Sequence, residues 1–329
     1  MARYGTNGEV ISAFFDKSYE PSVSKSGSVI IDFTFPAGKP VLLSYGWHFP
    51  MAFYADRENG LPVLILNGDR YSITTGIHQG MVLNRTFDEP NKVTVSMSAV
   101  YRAIDWTRGG VGNSRRWSDY RYMVDIDKIV VLDFWKEEHS DTEIEDATAV
   151  FYRKLHKADG TTERVPYRWH RAGFTLFKVR ECDHLFIAGM DGQSYFVSAI
   201  DVHSYVPKTV EEALEALRPD VVKKALKDKK KVMRQGEWFF VREDDLSPEE
   251  EKEMYQSLKK DFVLPRELAG NPHIATRGKV FDDRIVVSGS IRHPEHRMLR
   301  LSKATQKTGK IWLAYKNAAV ASWSEAGVD

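Results

Sequence analysis

Along the first 135 residues or so, the hydrophobic positions come in short runs closed by turn formers, a pattern that predicts strands. SVIIDFTF at 28–35 is β-branched and aromatic, and PAGKP at 36–40 ends it. VLLSY (41–45) and MAFY (51–54) lie on either side of GWHFP, followed by VLIL (63–66), the turn Asn67-Gly68-Asp69 and YSITT (71–75). Asn-Gly between two such runs predicts a hairpin. VTVSM (93–97) and IVVL (129–132) complete a set suited to an antiparallel β sandwich or barrel.

The stretch KEEHSDTEIEDAT at 136–148 is polar and acidic, and predicts a boundary between a β-rich module at 1–138 and a second module at 147–329. Beyond it, GFTLFKV (173–179), LFIA (185–188) and YFVS (195–198) again predict strands, with Asp191-Gly192 as the turn between the last two. Helices are expected mainly in the last 120 residues. TVEE at 209–212 and SPEE at 247–250 are capping boxes, opening helical segments at about 209–231, interrupted by Pro219, and at about 247–260. VMR (232–234) and WFFV (238–241) flank Gln235-Gly236 as a hairpin. The fold class expected is α+β, predominantly β, the second module packing two short helical segments on strands.

Composition narrows the picture in a few places. A length of 329 residues favours two compact units. A formal net charge of +1 gives no global basic field, so contact with nucleic acid or anionic lipid would need a local patch. The single cysteine, Cys182, excludes an intramolecular disulfide framework and a multi-cysteine zinc site. MARYGTNGEVISAFF lacks the basic-then-apolar run of a secretory signal, and no apolar run approaches the roughly 20 residues that span a bilayer. A cytoplasmic protein that engages no membrane is expected.

Several familiar motifs are missing. Gly109-Gly-Val-Gly112 is not followed by the lysine and hydroxyl of a phosphate-binding loop, and neither G-x-S-x-G nor His-Glu-x-x-His occurs. Asp125, Asp127 and Lys128 lack the spacing of a common nuclease core and read as a solvated strand end. The lysines at 223–231 suit a helix C-terminus, and the acidic residues at 243–251 compensate them.

The sharpest chemical candidate is the histidine group of 270–301. A tight turn at Pro294-Glu295 would set His293 and His296 opposite each other on adjacent strands, with Cβ atoms about 5 Å apart. His273 is a third group from a preceding turn, and Glu295 or Asp283 a carboxylate. Zinc or another divalent metal accepts such a set. Arg292, Arg297 and Arg300 crowd the same region, repelling a cation and favouring a phosphate with histidine as general acid or base. Proline favours a wider loop than a two-residue hairpin, and histidines also serve simply as strand-end groups bonded to backbone.

Two further sets are candidates for binding. His48 and His78, with Tyr45 and Tyr71, would form a polar pocket with aromatic walls, or a network of bonded turns. The stretch 106–117, with Arg108, Arg115, Arg116 and Trp117 among glycines, suits a loop that grips a phosphate backbone and stacks on bases, though such loops also occur without a ligand.

SYGWHFPMAFY followed by NGDRYSITTGIHQ is similar to a segment of uncharacterised proteins of bacteriophages, plasmids and their hosts. GFTLFKV, FIAGMDGQSYFVSAI, RQGEWFF, HIAT, HPEHRMLRL and WLAYKN extend the resemblance over most of the chain as two modules. It brings no catalytic residue with it. It implies a mobile-element setting, where handling nucleic acid or interfering with a host factor is natural. Two functions follow: a non-enzymatic accessory protein binding nucleic acid or a host or viral protein, and a hydrolase or phosphoesterase centred on His273, His293 and His296.

Overall fold

The computed structural model describes the chain except residues 1, 18–19, 34–38, 47–48, 70, 87–88, 108–125, 127, 136–137, 141–148, 157–160, 172, 181, 192–193, 201, 203–204, 266–271, 295, 302–309, 318–320 and 324–329. The chain packs as two compact units. The first comprises Met1–Met190, Tyr195–Ala213 and Ser322–Asp329, and the second Asp191–Ser194 and Leu214–Ala321. The described residues form an α+β, strand-rich protein, as the sequence predicts.

The first unit begins with β1 (Ala2–Tyr4), α1 (Asn7–Phe15), β2 (Ser22–Ser24), β3 (Val29–Asp32), β4 (Val41–Ser44) and β5 (Pro50–Arg57). It continues with β6 (Val63–Asn67), α2 (Ile73–Arg85), β7 (Lys92–Val95), α3 (Met97–Thr107) and β8 (Ile129–Trp135). Next come β9 (Glu138–Ser140), β10 (Ala149–His156) and β11 (Thr162–Arg171), which pair as a small sheet of their own. Then follow β12 (Phe174–Val179), β13 (Leu185–Asp191) and β14 (Ser194–Ile200). The large sheet runs β1-β2-β3-β4-β5-β8-β12-β13-β14 and ends on a late strand, β22 (Ala321–Trp323), while β6 and β7 branch from β5.

This sheet is mixed and open, where the sequence pattern suggested an antiparallel sandwich or barrel. β1/β2, β5/β8 and β6/β7 are parallel pairs. Parallel neighbours need crossovers, and α2 supplies the one between β6 and β7. Both faces are covered, which explains why VLIL reads as a continuous apolar run rather than an alternation. Leu64 and Leu66 pack with Val10, Phe14 and Val82 on the side of α1 and α2. Val63 and Ile65 pack with Val100, Ile104 and Phe177 on the side of α3. Each such side chain, taken wholly from water, contributes roughly 1.5–3 kcal/mol.

Two local features differ from the sequence pattern. YSITT does not form a strand: Ser72 caps α2, its hydroxyl accepting the Thr75 N–H at 3.1 Å. Asn67-Gly68-Asp69 therefore joins a strand to a helix instead of closing a hairpin. The described residues of the first 135 also hold three helices, so helices are not concentrated at the chain's end. The expected boundary at 136–148 falls largely outside the described residues, and β12–β14 beyond it belong to the large sheet.

The second unit takes up the last turn of α4 (Val210–Ala216, which straddles the two units), then α5 (Asp220–Lys227), β15 (Val232–Gln235), β16 (Trp238–Arg242) and α6 (Pro248–Ser257). It continues with β17 (Lys259–Val263), β18 (Ile274–Phe281), β19 (Arg284–His293), β20 (His296–Arg300) and β21 (Trp312–Lys316). Both predicted capping boxes form: Ser247 with Glu250, and Thr209 with Glu212. The sheet order is β15-β16-β21-β19-β18-β17, with β20 beside β19 and all pairs antiparallel. Strand alternation sorts its faces. Trp238 and Phe240 join Val287, Ile291 and Trp312 in one core, while Phe239 and Val241 meet Val222 and Ala225 of α5 on the other side.

Candidate functional site

In the first unit, α2 is held by polar bonds at three points. On its inner side His78 is 2% exposed and bridges Ser44 and Asn7. The Asn7 amide Nδ2 lies 2.9 Å from His78 Nε2, and the Asn7 carbonyl accepts from the Ser26 and Ser28 hydroxyls at 3.1 and 3.0 Å. That pattern makes Nε2 the acceptor and puts the ring proton on Nδ1, 2.8 Å from Ser44 Oγ. His78 therefore donates to Ser44 and does not draw a proton from it. Ser44 is also wholly buried. The trio has the composition of a catalytic triad with the polarity of a structural clasp. Burial lowers the His78 pKa below the ordinary histidine value.

From the middle of the helix, Gln79 Nε2 donates to the carbonyls of Asn67 and Asp69 in the segment that leads into it, both at 2.8 Å. Asn67 Oδ1 accepts the Asp69 N–H at 2.9 Å, and Asn67 Nδ2 donates to the Pro50 carbonyl at 2.8 Å. The Asp69 carboxylate caps the neighbouring helix: Oδ2 accepts the Ser98 N–H at 2.7 Å and Oδ1 the Ser98 hydroxyl at 3.2 Å. Burial raises its pKa, against the lowering effect of Ser96, Ser98 and Arg102. Gly68 lies beneath the Tyr195 ring, where a Cβ would fall 2.3 Å from a ring carbon.

With Thr75, His78 and Val82 turned inward, the opposite side of α2 faces solvent. Ile73, Ile77 and Met81 stand there at four-residue spacing, 87%, 53% and 40% exposed. Half-exposed Tyr71 immediately precedes the helix, and half-exposed Tyr45 rests against His78 with ring centroids 5.6 Å apart. Tyr45 holds φ at +55°, a left-handed conformation unusual for an aromatic residue. From Ser72 to Asn84 there is no Asp, Glu, Lys or Arg.

In the second unit, the backbone register opposes His293 to His296 directly, the relationship a tight Pro294-Glu295 turn requires. His273, buried just before β18, stacks on His293 with ring centroids 4.3 Å apart and an interplanar angle of 25°. Its Nδ1 lies 3.8 Å from Glu237 Oε1, in the two-residue turn between β15 and β16. Asp283 stands at the opposite end of β19, about 30 Å along the strand from His293, and is not part of this group. Arg292 is exposed and paired with Asp261. Among the described residues, no group of three or more His, Cys, Asp or Glu side chains is placed to hold a metal ion.

Of the other sequence candidates, His48, Glu295, Arg108, Arg115, Arg116 and Trp117 lie outside the described residues. His296 and Arg297 are described in backbone only, on β20. Tyr71 packs against Phe49, with ring centroids 6.0 Å apart, so it and Tyr45 touch different neighbours. Asn7, Glu237 and the outer face of α2 escaped the sequence reading. For Asn7 a signal was present: Thr6-Asn-Gly-Glu9 is a capping box and opens α1. Among the described residues, no helix is long and apolar enough to cross a membrane. Comparison with protein-family models, curated proteins and solved structures finds no match to this chain.

Proposed function

We propose that the chain is an accessory protein that works through protein–protein contact, and that the outer face of α2 is its contact surface. One observation carries this: three large apolar side chains in a row, Ile73, Ile77 and Met81, stand in solvent on a helix whose inner side is fixed to the core. Isolated exposed apolar residues are ordinary, but a contiguous row on a rigid element marks an interaction surface. The polar clasps give the row a fixed shape, which lowers the entropy lost on binding. The sequence resemblance adds a phage, plasmid or host replicon as the carrier.

The test is a photo-crosslinking residue at position 77, with Leu61, an exposed residue in the β5–β6 connection, as control. In cells expressing the chain, position 77 is expected to give an adduct of discrete mass that position 61 does not give. The same diffuse background from both positions would overturn the reading.

The stacked His273–His293 pair beside Glu237 supports a second reading, acid–base catalysis on a phosphate ester. It predicts turnover of an activated phosphodiester, with at least a hundredfold loss in H273A and in H293A. Turnover unchanged in both variants would sink it.

A further inference from the structure

We infer that the occupant of the α2 face is a second copy of this chain, the two α2 helices crossing antiparallel about Ile77. This rests on the reading of α2 as a contact surface and names its partner. The row is symmetric about its middle residue: Ile73 and Met81 lie four positions to either side of Ile77. A two-fold axis through Ile77 therefore sets Ile77 against its own copy, and Ile73 of each chain against Met81 of the other.

Charge allows the same partner. A two-fold interface brings identical side chains together near its axis, so a charged residue there would meet its own like charge. The thirteen-residue span Ser72–Asn84 carries no charged side chain other than the buried His78, whose burial favours the neutral form. Self-association meets no repulsion along the crossing.

The glycines of α2 are a separate observation. A Cβ added at Gly76 or Gly80 would meet nothing within 4 Å, so no close contact inside the chain requires either glycine. Glycine in mid-helix is less stable than alanine. A second helix laid across this face is a neighbour that the missing Cβ atoms would accommodate, because interaxial distance falls as contact side chains shrink. One helix crossing buries on the order of 1,000 Å² in total, the range of weak and reversible complexes. The dimer is accordingly concentration-dependent.

Sedimentation velocity of the full chain over a wide concentration range tests this. The wild type is expected to move from monomer to dimer with a micromolar midpoint. I77E is expected to remain monomeric with its thermal midpoint unchanged. G76A/G80A is expected to melt higher, since alanine strengthens the helix, and yet to associate at least tenfold more weakly. That opposite movement separates a contact role from a folding role. A wild type monomeric at its highest soluble concentration, or G76A/G80A associating as well as wild type, overturns the inference. A crosslink from position 77 to a different protein, with a monomeric wild type, overturns it while leaving the contact surface standing.

Discussion

His78 donates from Nδ1 to Ser44 Oγ at 2.8 Å while its Nε2 accepts from Asn7 at 2.9 Å, joining α2 to β4 and to the first turn of α1. Replacing His78 with alanine leaves both partners buried without the ring between them. H78A is expected to lose about 1–3 kcal/mol of unfolding free energy, read from urea denaturation at pH 7.5. A loss near zero would mean that the clasp contributes nothing.

The same residue predicts a pH dependence. Burial lowers the His78 pKa below the ordinary histidine value of about 6.5, so the unfolded chain takes up a proton that the folded chain resists. Stability is therefore full above about pH 6.5, where both states are neutral, and falls as pH drops toward the lower folded value. Comparison of urea midpoints at pH 7.5 and 5.5 should show a smaller drop for H78Q than for wild type. Equal drops would assign the slope to other groups.

Gly68 under the Tyr195 ring gives a steric prediction. A methyl group there would sit 2.3 Å from a ring carbon, so alanine must displace the tyrosine or the loop that carries Asp69. G68A is expected to destabilise by about 1–3 kcal/mol, the usual cost of overpacking. G68A in a Y195A background should recover most of that loss, which double-mutant stability measurements will show.

The stacked imidazoles of His273 and His293 permit a similar cycle. Aromatic pairs in contact contribute about 0.5–1.5 kcal/mol beyond the area they bury. H273A, H293A and the double variant should show coupling of that size in denaturant titrations. Strict additivity would place the rings out of contact in solution.

How much of this was legible in the sequence depended on what kind of force decided each element. Runs such as VLIL, IVVL and GFTLFKV became strands because burial and β-propensity agree there. TVEE and SPEE became helix starts because capping is local chemistry, closed within four residues. YSITT misled because its β-branched residues favour a strand, while the Ser72 cap and the burial of Thr75, His78 and Val82 favour a helix. That inner row holds one aliphatic residue in three, so its helical period carries no hydrophobic signal.

The site showed the same division. The opposition of His293 and His296 followed from counting across a turn. The approach of Glu237 to His273 joins segments more than thirty residues apart, which no local spacing encodes. The exposure of Ile73, Ile77 and Met81 was hidden for a similar reason. Apolar residues at four-residue spacing ordinarily mark the buried side of a helix, and here the buried side is the polar one.

The contact of the outer face of α2 with its own copy at Ile77 is the central proposal, and disulfide trapping tests that contact directly. With Cys182 replaced by serine, I77C and the control L61C are each oxidised at a concentration where the dimer is populated. Rapid formation of a covalent dimer is expected through position 77, and little or none through position 61. Equal trapping at both positions, or none at position 77, would contradict it.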